Sequence, residues 1–108
     1  MQAFPKTPAY RSESYRRYVA SFECFGCGIE GYSQAAHPNQ GKGLGMKTDD
    51  RMCFPLCCVR PDHMGCHQMH DLCVDMDRAT RRELEIGYVN RMQQIARAAR
   101  RPEFTEAA

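Results

Sequence analysis

Residues 57–71, CCVRPDHMGCHQMHD, hold three cysteines, three histidines and two aspartates in fifteen positions. Thiolates, imidazoles and carboxylates are the side chains with which proteins bind zinc and other divalent ions. The stretch offers little apolar surface that a hydrophobic core could use. Metal binding is therefore the chemistry that this stretch predicts.

A second group of ligands lies upstream, where CFGCG at 24–28 has the CxxC spacing and the following glycine of a zinc knuckle. A structural zinc needs four thiolate or imidazole ligands, and such sites are usually assembled from two short pairs. Cys24 and Cys27 supply the first pair. We predict that Cys57 and Cys66 supply the second, with the residues between them forming a bulging loop.

Other cysteines and one histidine compete for this zinc. Cys58 would point away from the metal if strand alternation persists beyond Cys57, but the choice between these neighbours stays open. His63 is an alternative fourth ligand, although a histidine in an exposed turn is more often simply solvated. Cys53 and Cys73 are interpreted as small buried hydrophobes.

Four thiolates would satisfy the zinc, so the remaining histidines and Asp71 favour a second metal ion. His67 and Asp71 are four residues apart and would project from one side of a helix, with His70 as the rival partner. An ion with few protein ligands keeps open positions that can bind a phosphate oxygen. His37, at the end of a predicted strand, is the candidate general base because imidazole titrates near neutral pH.

Length and composition limit the class of protein. A chain of 108 residues has room for one domain with a modest core. Seven cysteines, an odd number, without a signal-peptide pattern favour bound zinc in a reducing cytoplasm over disulfides. We expect no membrane partner, since no apolar run approaches the roughly 18 residues of a membrane span. We also expect no small-molecule organic cofactor.

The ligands must be positioned by a small number of elements in a single domain, residues 1–108. The predicted parts are an extended arm (1–11), a helix capped by Ser12 (12–23), a zinc-binding core (24–74) and a C-terminal helix (77–101). Within the core, the pattern predicts a strand at 32–37, a returning strand at 52–56 and a short helix at 67–74.

The C-terminal helix has the clearest pattern. Asp77 or Thr80 can cap it, and Thr80 with Glu83 matches a capping box. Its predicted apolar stripe consists of Leu84, Tyr88, Met92, Ile95 and Ala99. This stripe is expected to cover the small core.

The motifs CFGCG, AAHPNQGKGLGMKTDD, FPLC and GCHQMHD, in this order, resemble the compact HNH, or His-Me finger, nucleases of bacteriophages and prophages. The resemblance covers residues 24–71, about half of the chain. It implies an α+β fold of the ββα-metal type, with a hairpin packed on a short helix and a divalent ion between them. It also implies metal-dependent endonuclease cleavage of DNA in the bacterial host.

Carried over by position, the resemblance implies roles for individual residues. His37 matches the general base, and His67 matches the metal-binding histidine of the helix. Asp71 matches the second helix ligand, which is usually histidine in the wider superfamily. Asn39 or Asp50 would replace the middle asparagine that orders the loop. The catalytic ion would be Mg²⁺, Mn²⁺, Ni²⁺ or Zn²⁺.

The pattern departs from the wider superfamily at Ala36, where an Asp or His ligand usually precedes the base. A catalytically inactive zinc module that binds DNA or protein is therefore the alternative hypothesis. A zinc deaminase is disfavoured because the chain has neither His-x-Glu nor PCxxC. A thiol oxidoreductase would need a free low-pKa thiolate in CFGC, where the other cysteines favour metal capture instead.

DNA contacts are predicted from cations that surround the proposed site. Each phosphate that they neutralise would make binding more sensitive to salt. The sequence shows no recognition helix, so we expect low sequence specificity or recognition of DNA structure. The predicted DNA-binding residues are Lys42, Lys47, Arg51 and Arg60.

Overall fold

The computed structural model describes residues 10–38 and 49–105, so Asn39, Lys42, Lys47 and most of the predicted arm lie outside the described residues. Within these ranges, three α-helices accompany one two-stranded antiparallel sheet, which confirms the α+β class. The elements are α1 (Glu13–Ala20), β1 (Ser33–Ala36), β2 (Phe54–Cys57), α2 (Cys66–Asp71) and α3 (Arg78–Ala98). Short 3₁₀ helices, Asp50–Met52 and Pro102–Phe104, precede β2 and follow α3.

Helix α1 begins at the predicted cap, because Ser12 Oγ accepts a hydrogen bond from the Tyr15 amide at 3.1 Å. Tyr15 and Val19, one turn apart, are fully buried and anchor the helix on the sheet. The helix ends at Ala20, three residues before the predicted end. Its buried face therefore covers two turns.

The hairpin pairs Ser33 with Cys57 and Ala36 with Phe54. All four residues of β2 are buried, because α1, α2 and α3 all pack against this strand. The strand starts two residues later than predicted. Residues 50–52 instead form a 3₁₀ turn, capped by Asp49, whose carboxylate accepts from the Arg51 amide at 2.7 Å.

The capping box predicted for α3 is wrong. Asp77 is the N-cap, and its carboxylate accepts a hydrogen bond from the Thr80 amide at 2.7 Å. With Asp77 in this place, Thr80 lies inside the first turn and cannot act as the cap. The start of the helix is nevertheless close to the predicted one.

The buried face of α3 also differs from the predicted stripe. The buried residues are Glu85, Val89, Met92 and Ala96. Of the predicted positions, Met92 is buried, whereas Ala99 is exposed and the other three are half-buried. The face is rotated because the charged Glu85 points inward, where it meets His70 of α2.

The core lies between α1, the hairpin and α3. Its largest fully buried side chains include Tyr15, Phe54, Leu56 and Met92. No helix in residues 10–38 and 49–105 has both the length and the apolar character needed to cross a membrane. The hairpin, with the segments at its two ends, positions the groups described below.

Candidate functional site

The sulfur atoms of Cys24, Cys27, Cys57 and Cys66 all lie within 4.8 Å of one another. Cys27 Sγ and Cys57 Sγ are 3.8 Å apart. Tetrahedral zinc with Zn–S bonds of about 2.3 Å would place its sulfurs roughly 3.8 Å apart. The four cysteines predicted from the sequence are thus brought together, and they can bind a structural metal such as zinc.

Backbone amides surround this cysteine cluster and favour thiolates over thiols. Cys24 Sγ accepts from the amides of Gly26 at 3.2 Å and Cys57 at 3.3 Å, and Cys57 Sγ accepts from the Cys66 amide at 3.2 Å. Burial opposes the charge on Cys57, but the Cys66 amide and the Arg60 side chain outweigh it and lower the pKa of Cys57 to about 6. One ligand is therefore ready to bind metal near neutral pH.

The pKa of the Cys66 thiol moves in the opposite direction. Burial raises it first, and the adjacent sulfurs of Cys24 and Cys57 raise it further. Four sulfurs held this close oppose one another's ionisation. A bound cation would remove that opposition by stabilising all four thiolates together.

Two glycines shape the knuckles around the cysteine cluster. A Cβ atom on Gly26 would lie 2.9 Å from Cys66 Sγ, inside the space that a metal and its ligands need. Gly65 has a φ of 90°, and a Cβ there would lie 2.6 Å from the carbonyl carbon of Cys58. The second knuckle therefore needs glycine for its conformation as well as for its space.

The loop between Cys57 and Cys66 is closed by its own contacts. Arg60 and His63 form an antiparallel bridge, and His63 Nδ1 accepts from the Gly65 amide at 2.8 Å. His63 thus shapes the loop and is not part of the cysteine cluster. The Arg60 guanidinium donates to the Cys58 carbonyl at 3.2 Å and lies 5.0 Å from the centre of the Tyr32 ring.

A second group of polar side chains centres on Asp50, which is 0% exposed. Asp50 Oδ1 contacts His37 Nε2 at 2.8 Å and Arg11 Nη1 at 3.1 Å. Asp50 Oδ2 accepts from the Ser12 amide at 2.8 Å and from Arg16 Nη1. Burial alone would raise the pKa of Asp50, but the Ser12 amide, His37 and Arg16 hold it below its usual range.

Asp50 determines which nitrogen of His37 is basic. A carboxylate can only accept, so Nε2 of His37 carries the hydrogen and Nδ1 keeps the lone pair of the neutral ring. A histidine oriented by a buried carboxylate is the arrangement of a general base. The Cys53 thiol completes a possible ligand trio, but the two guanidiniums on Asp50 repel a cation there. Proton transfer is the chemistry that fits His37 and Asp50.

A third group lies on α2. His67 Nε2 is 3.6 Å from Asp71 Oδ2, and His67 Nδ1 is 2.9 Å from the side-chain oxygen of Gln34. The amide oxygen accepts, so Nδ1 donates and the Nε2 lone pair faces Asp71, as in a metal-ligating histidine. Two ligand bonds of about 2.1 Å can span this gap. Gln34, His67 and Asp71 line a cavity of about 210 Å³.

His70 does not join His67 and Asp71. Its side chain is 4% exposed, and its ring packs against the rings of Phe54 and Tyr88, with centroids 5.9 and 6.2 Å away. Its Nε2 lies 3.5 Å from the Glu85 carboxylate. His70 is a core residue, because α2 turns this side of the helix toward β2 and α3.

The two predicted DNA-binding residues that the structure describes, Arg51 and Arg60, both contact other groups of the protein. Arg51 is held by Asp49, with Nη2 2.6 Å from Oδ2, and its guanidinium lies 4.5 Å from the centre of the Tyr10 ring. Arg60 donates to the Cys58 carbonyl and helps to lower the pKa of Cys57 in the cysteine cluster. Arg11 and Arg16, which the sequence reading did not single out, are the arginines beside His37.

The His37 and His67 groups lie at different residues of the hairpin. Gln34 contacts His67, whereas His37 follows the end of β1 and contacts Asp50. The two ligand groups of three or more side chains among the described residues are the cysteine cluster and the trio of His37, Asp50 and Cys53. His37 and His67 therefore do not share one set of ligands.

Comparisons with protein-family models, with curated proteins and with solved structures each found no match for this chain. Function is therefore argued from the three groups of side chains. The role of His37 was predicted mainly from the resemblance to HNH nucleases. Sequence spacing predicted the four cysteines of the cluster and the pair of His67 and Asp71. It could not identify Gln34, Arg11 or Arg16, whose partners are 33 to 39 residues away along the chain.

Proposed function

We propose that this protein is a zinc-stabilised endonuclease that hydrolyses DNA phosphodiester bonds with the help of a second divalent ion. The observation that carries the proposal is the contact of His37 with the buried Asp50, which leaves Nδ1 as a base at the end of β1. The order of hairpin and α2, with His67 directly after the zinc ligand Cys66, supports the HNH resemblance.

In this proposal, His37 Nδ1 accepts a proton from water while the water oxygen bonds to phosphorus. Asp50 stabilises the imidazolium that forms, as an orienting carboxylate does. His67 and Asp71 would hold the divalent ion, and Gln34 would fix the tautomer of His67. The ion would supply stabilisation of charge on the phosphate and on the leaving oxygen. The bond to the leaving oxygen breaks, and that oxygen takes a proton from solvent.

The test is nicking of supercoiled plasmid by the zinc-loaded protein with added Mg²⁺, Mn²⁺, Ni²⁺ or Zn²⁺. We expect His37→Ala and His67→Ala to lower the nicking rate at least about 100-fold, the usual contribution of a positioned base. His63→Asn is the matched control, because its side-chain oxygen can accept the Gly65 amide in place of Nδ1. Zinc content and circular dichroism verify that each variant is folded.

A second candidate is a zinc module that binds DNA or protein without cleaving it. Two observations favour it: His37 and His67 contact different partners, and Ala36, where the wider superfamily places a ligand, is buried in the core. This candidate predicts no nicking with any metal by a folded, zinc-loaded protein. It also predicts that His37→Ala leaves binding nearly unchanged.

A further inference from the structure

The surroundings of Asp50 carry more positive charge than one carboxylate needs. Arg11 Nη1 and Arg16 Nη1 each contact one of its oxygens, and Asp50 is completely buried. Two guanidiniums and one carboxylate leave a formal charge of +1 beside His37 while that ring is neutral. A single arginine would already have neutralised the carboxylate.

Asp50 has no capacity left for further donors. A carboxylate offers about four acceptor positions. The contacts to Arg11, Arg16, the Ser12 amide and His37 use four. The excess charge therefore has to be satisfied from outside the buried carboxylate, by solvent or by another anion.

Both arginines keep donors that face outward. A guanidinium has five N–H groups in a planar fork, and each of these arginines contacts Asp50 through Nη1. Within the part of the chain that the structure describes, Nε and Nη2 of Arg11 and Arg16 make no hydrogen bond. Their side chains are 45% and 37% exposed. Arg51 differs, since its Nε and Nη2 are both committed to Asp49.

We propose that Arg11 and Arg16 bind a backbone phosphate of DNA beside His37. Guanidinium forks match the oxygens of a phosphate, and Asp50 fixes the two forks from behind so that little side-chain entropy is lost on binding. The positive end of α1 lies at the same place, because Ser12 is its N-cap. The ligand class rests on the proposed function, whereas the phosphate site itself rests on the charge and the outward donors.

The experiment measures DNA binding without added divalent ion. The zinc-loaded full chain is titrated into a fluorescein-labelled duplex, and anisotropy is followed over a series of NaCl concentrations. For the double variant Arg11→Gln/Arg16→Gln, we expect the slope of log K against log salt to flatten by roughly 0.9, the contribution of the one phosphate contact that is lost. Affinity at low salt should fall at least about tenfold per arginine.

Arg78→Gln/Arg82→Gln is the matched control, because it also removes two charges, from exposed positions on α3. We expect its slope and affinity to equal those of the wild type. Should Arg16→Gln fail to fold, Arg11→Gln and Arg16→Lys replace the double variant; the first removes one charge and the second removes the fork while keeping the charge. Unchanged slope and affinity in both would then overturn the proposal.

A folded, zinc-loaded double variant that binds DNA with the wild-type slope overturns the proposal, whatever its nicking activity. Arginine-dependent binding of inorganic phosphate, followed by ³¹P NMR, together with no binding of DNA also overturns it. If the wild type never nicks plasmid but the double variant shows the flatter salt slope, the phosphate site is supported and the nuclease is rejected. If the wild type nicks plasmid and the double variant keeps the wild-type salt slope, the nuclease is supported and the phosphate site is rejected.

Discussion

Asp50 connects the stability of the fold with the orientation of the proposed base. The pKa of its carboxyl group is lower in the folded protein than in the unfolded chain, where an aspartate titrates near about 3.9. The stabilisation is therefore present above that pH and is lost as the pH falls through the lower, folded value. Asp49 and Asp77 have lowered pKa values as well and contribute in the same direction.

Asp50→Asn is expected to destabilise the fold by about 2 kcal/mol at neutral pH. This is less than the 3–5 kcal/mol of a fully buried ion pair, because both arginines reach solvent. Part of the loss of stability on acidification should disappear with the carboxylate. Urea unfolding at neutral pH and near pH 4 measures both effects. Asp49→Asn, whose partner Arg51 is at the surface, is the matched control.

An Asp50→Asn variant as stable as the wild type, with the same dependence on pH, would contradict this account of Asp50. The same variant tests its orienting role, because an amide can donate to Nε2 and favour the other tautomer of His37. Loss of nicking by a folded, zinc-loaded variant would be the expected pattern. Unchanged nicking would remove Asp50 from the proposed mechanism.

At the scale of elements, short sequence motifs predicted the features that depend on contacts between residues close together in the chain. The Ser12 cap and the CxxC knuckle depend on residues within one turn, and both positions were predictable. Asp77, one of the two predicted caps of α3, is the observed cap, whereas the capping box of Thr80 with Glu83 is wrong because Thr80 lies inside the first turn. The rotated face of α3 depends on Glu85 meeting His70, and a charged residue gives no apolar signal to a periodicity analysis.

Gly65 is the described glycine at which an added Cβ would come closest to another atom. Gly65→Ala is expected to cost about 3 kcal/mol or more and to weaken zinc binding, because Cβ would overlap the Cys58 backbone. Gly31→Ala is the matched control: Gly31 has a similar φ of 86°, but nothing lies within 4 Å of its Cβ position. That variant should cost only the conformational strain, about 1 kcal/mol. Thermal unfolding and zinc content compare the two, and equal effects would refute a steric role.

At the scale of the whole molecule, the cysteine cluster joins three parts of the chain. Cys24 and Cys27 follow α1, Cys57 ends β2 and Cys66 begins α2. A chain this short buries a limited share of its surface, so metal binding is expected to supply a large part of its folding free energy. Metal binding and folding are therefore expected to occur together.

Removal of zinc is expected to unfold the protein. Cys27 is exposed, so a strong chelator can reach the cluster. We expect loss of helical circular dichroism to follow metal release, and Cys57→Ser to have the same effect. Cys58→Ser, one residue away and outside the cluster, should retain both metal and fold. A fully helical protein after complete release of metal would show that the hydrophobic core is sufficient.

Long-range pairing is the part of the site that the sequence could not provide. Arg11 meets Asp50 across 39 residues, and Gln34 meets His67 across 33. Nothing in residue type or spacing links such pairs, because it is the folded hairpin between α1 and α2 that brings them together. The ligand-rich stretches were predictable, and the resemblance singled out Asp50, but Arg11, Arg16 and Gln34 were not predicted.

The contacts between α1 and the segment after α3 have a consequence for the connectivity of the chain. Ser12 Oγ donates to Glu103 at 3.1 Å, and Arg101 donates to Ser14 Oγ at 3.1 Å. The first and last described segments therefore lie side by side. A circular permutant that joins them through a short linker and opens the chain in the turn at 72–75, next to the exposed Leu72, should keep the cysteine cluster and the His37 group intact. The same contacts should then form although the elements follow one another in a different order along the chain.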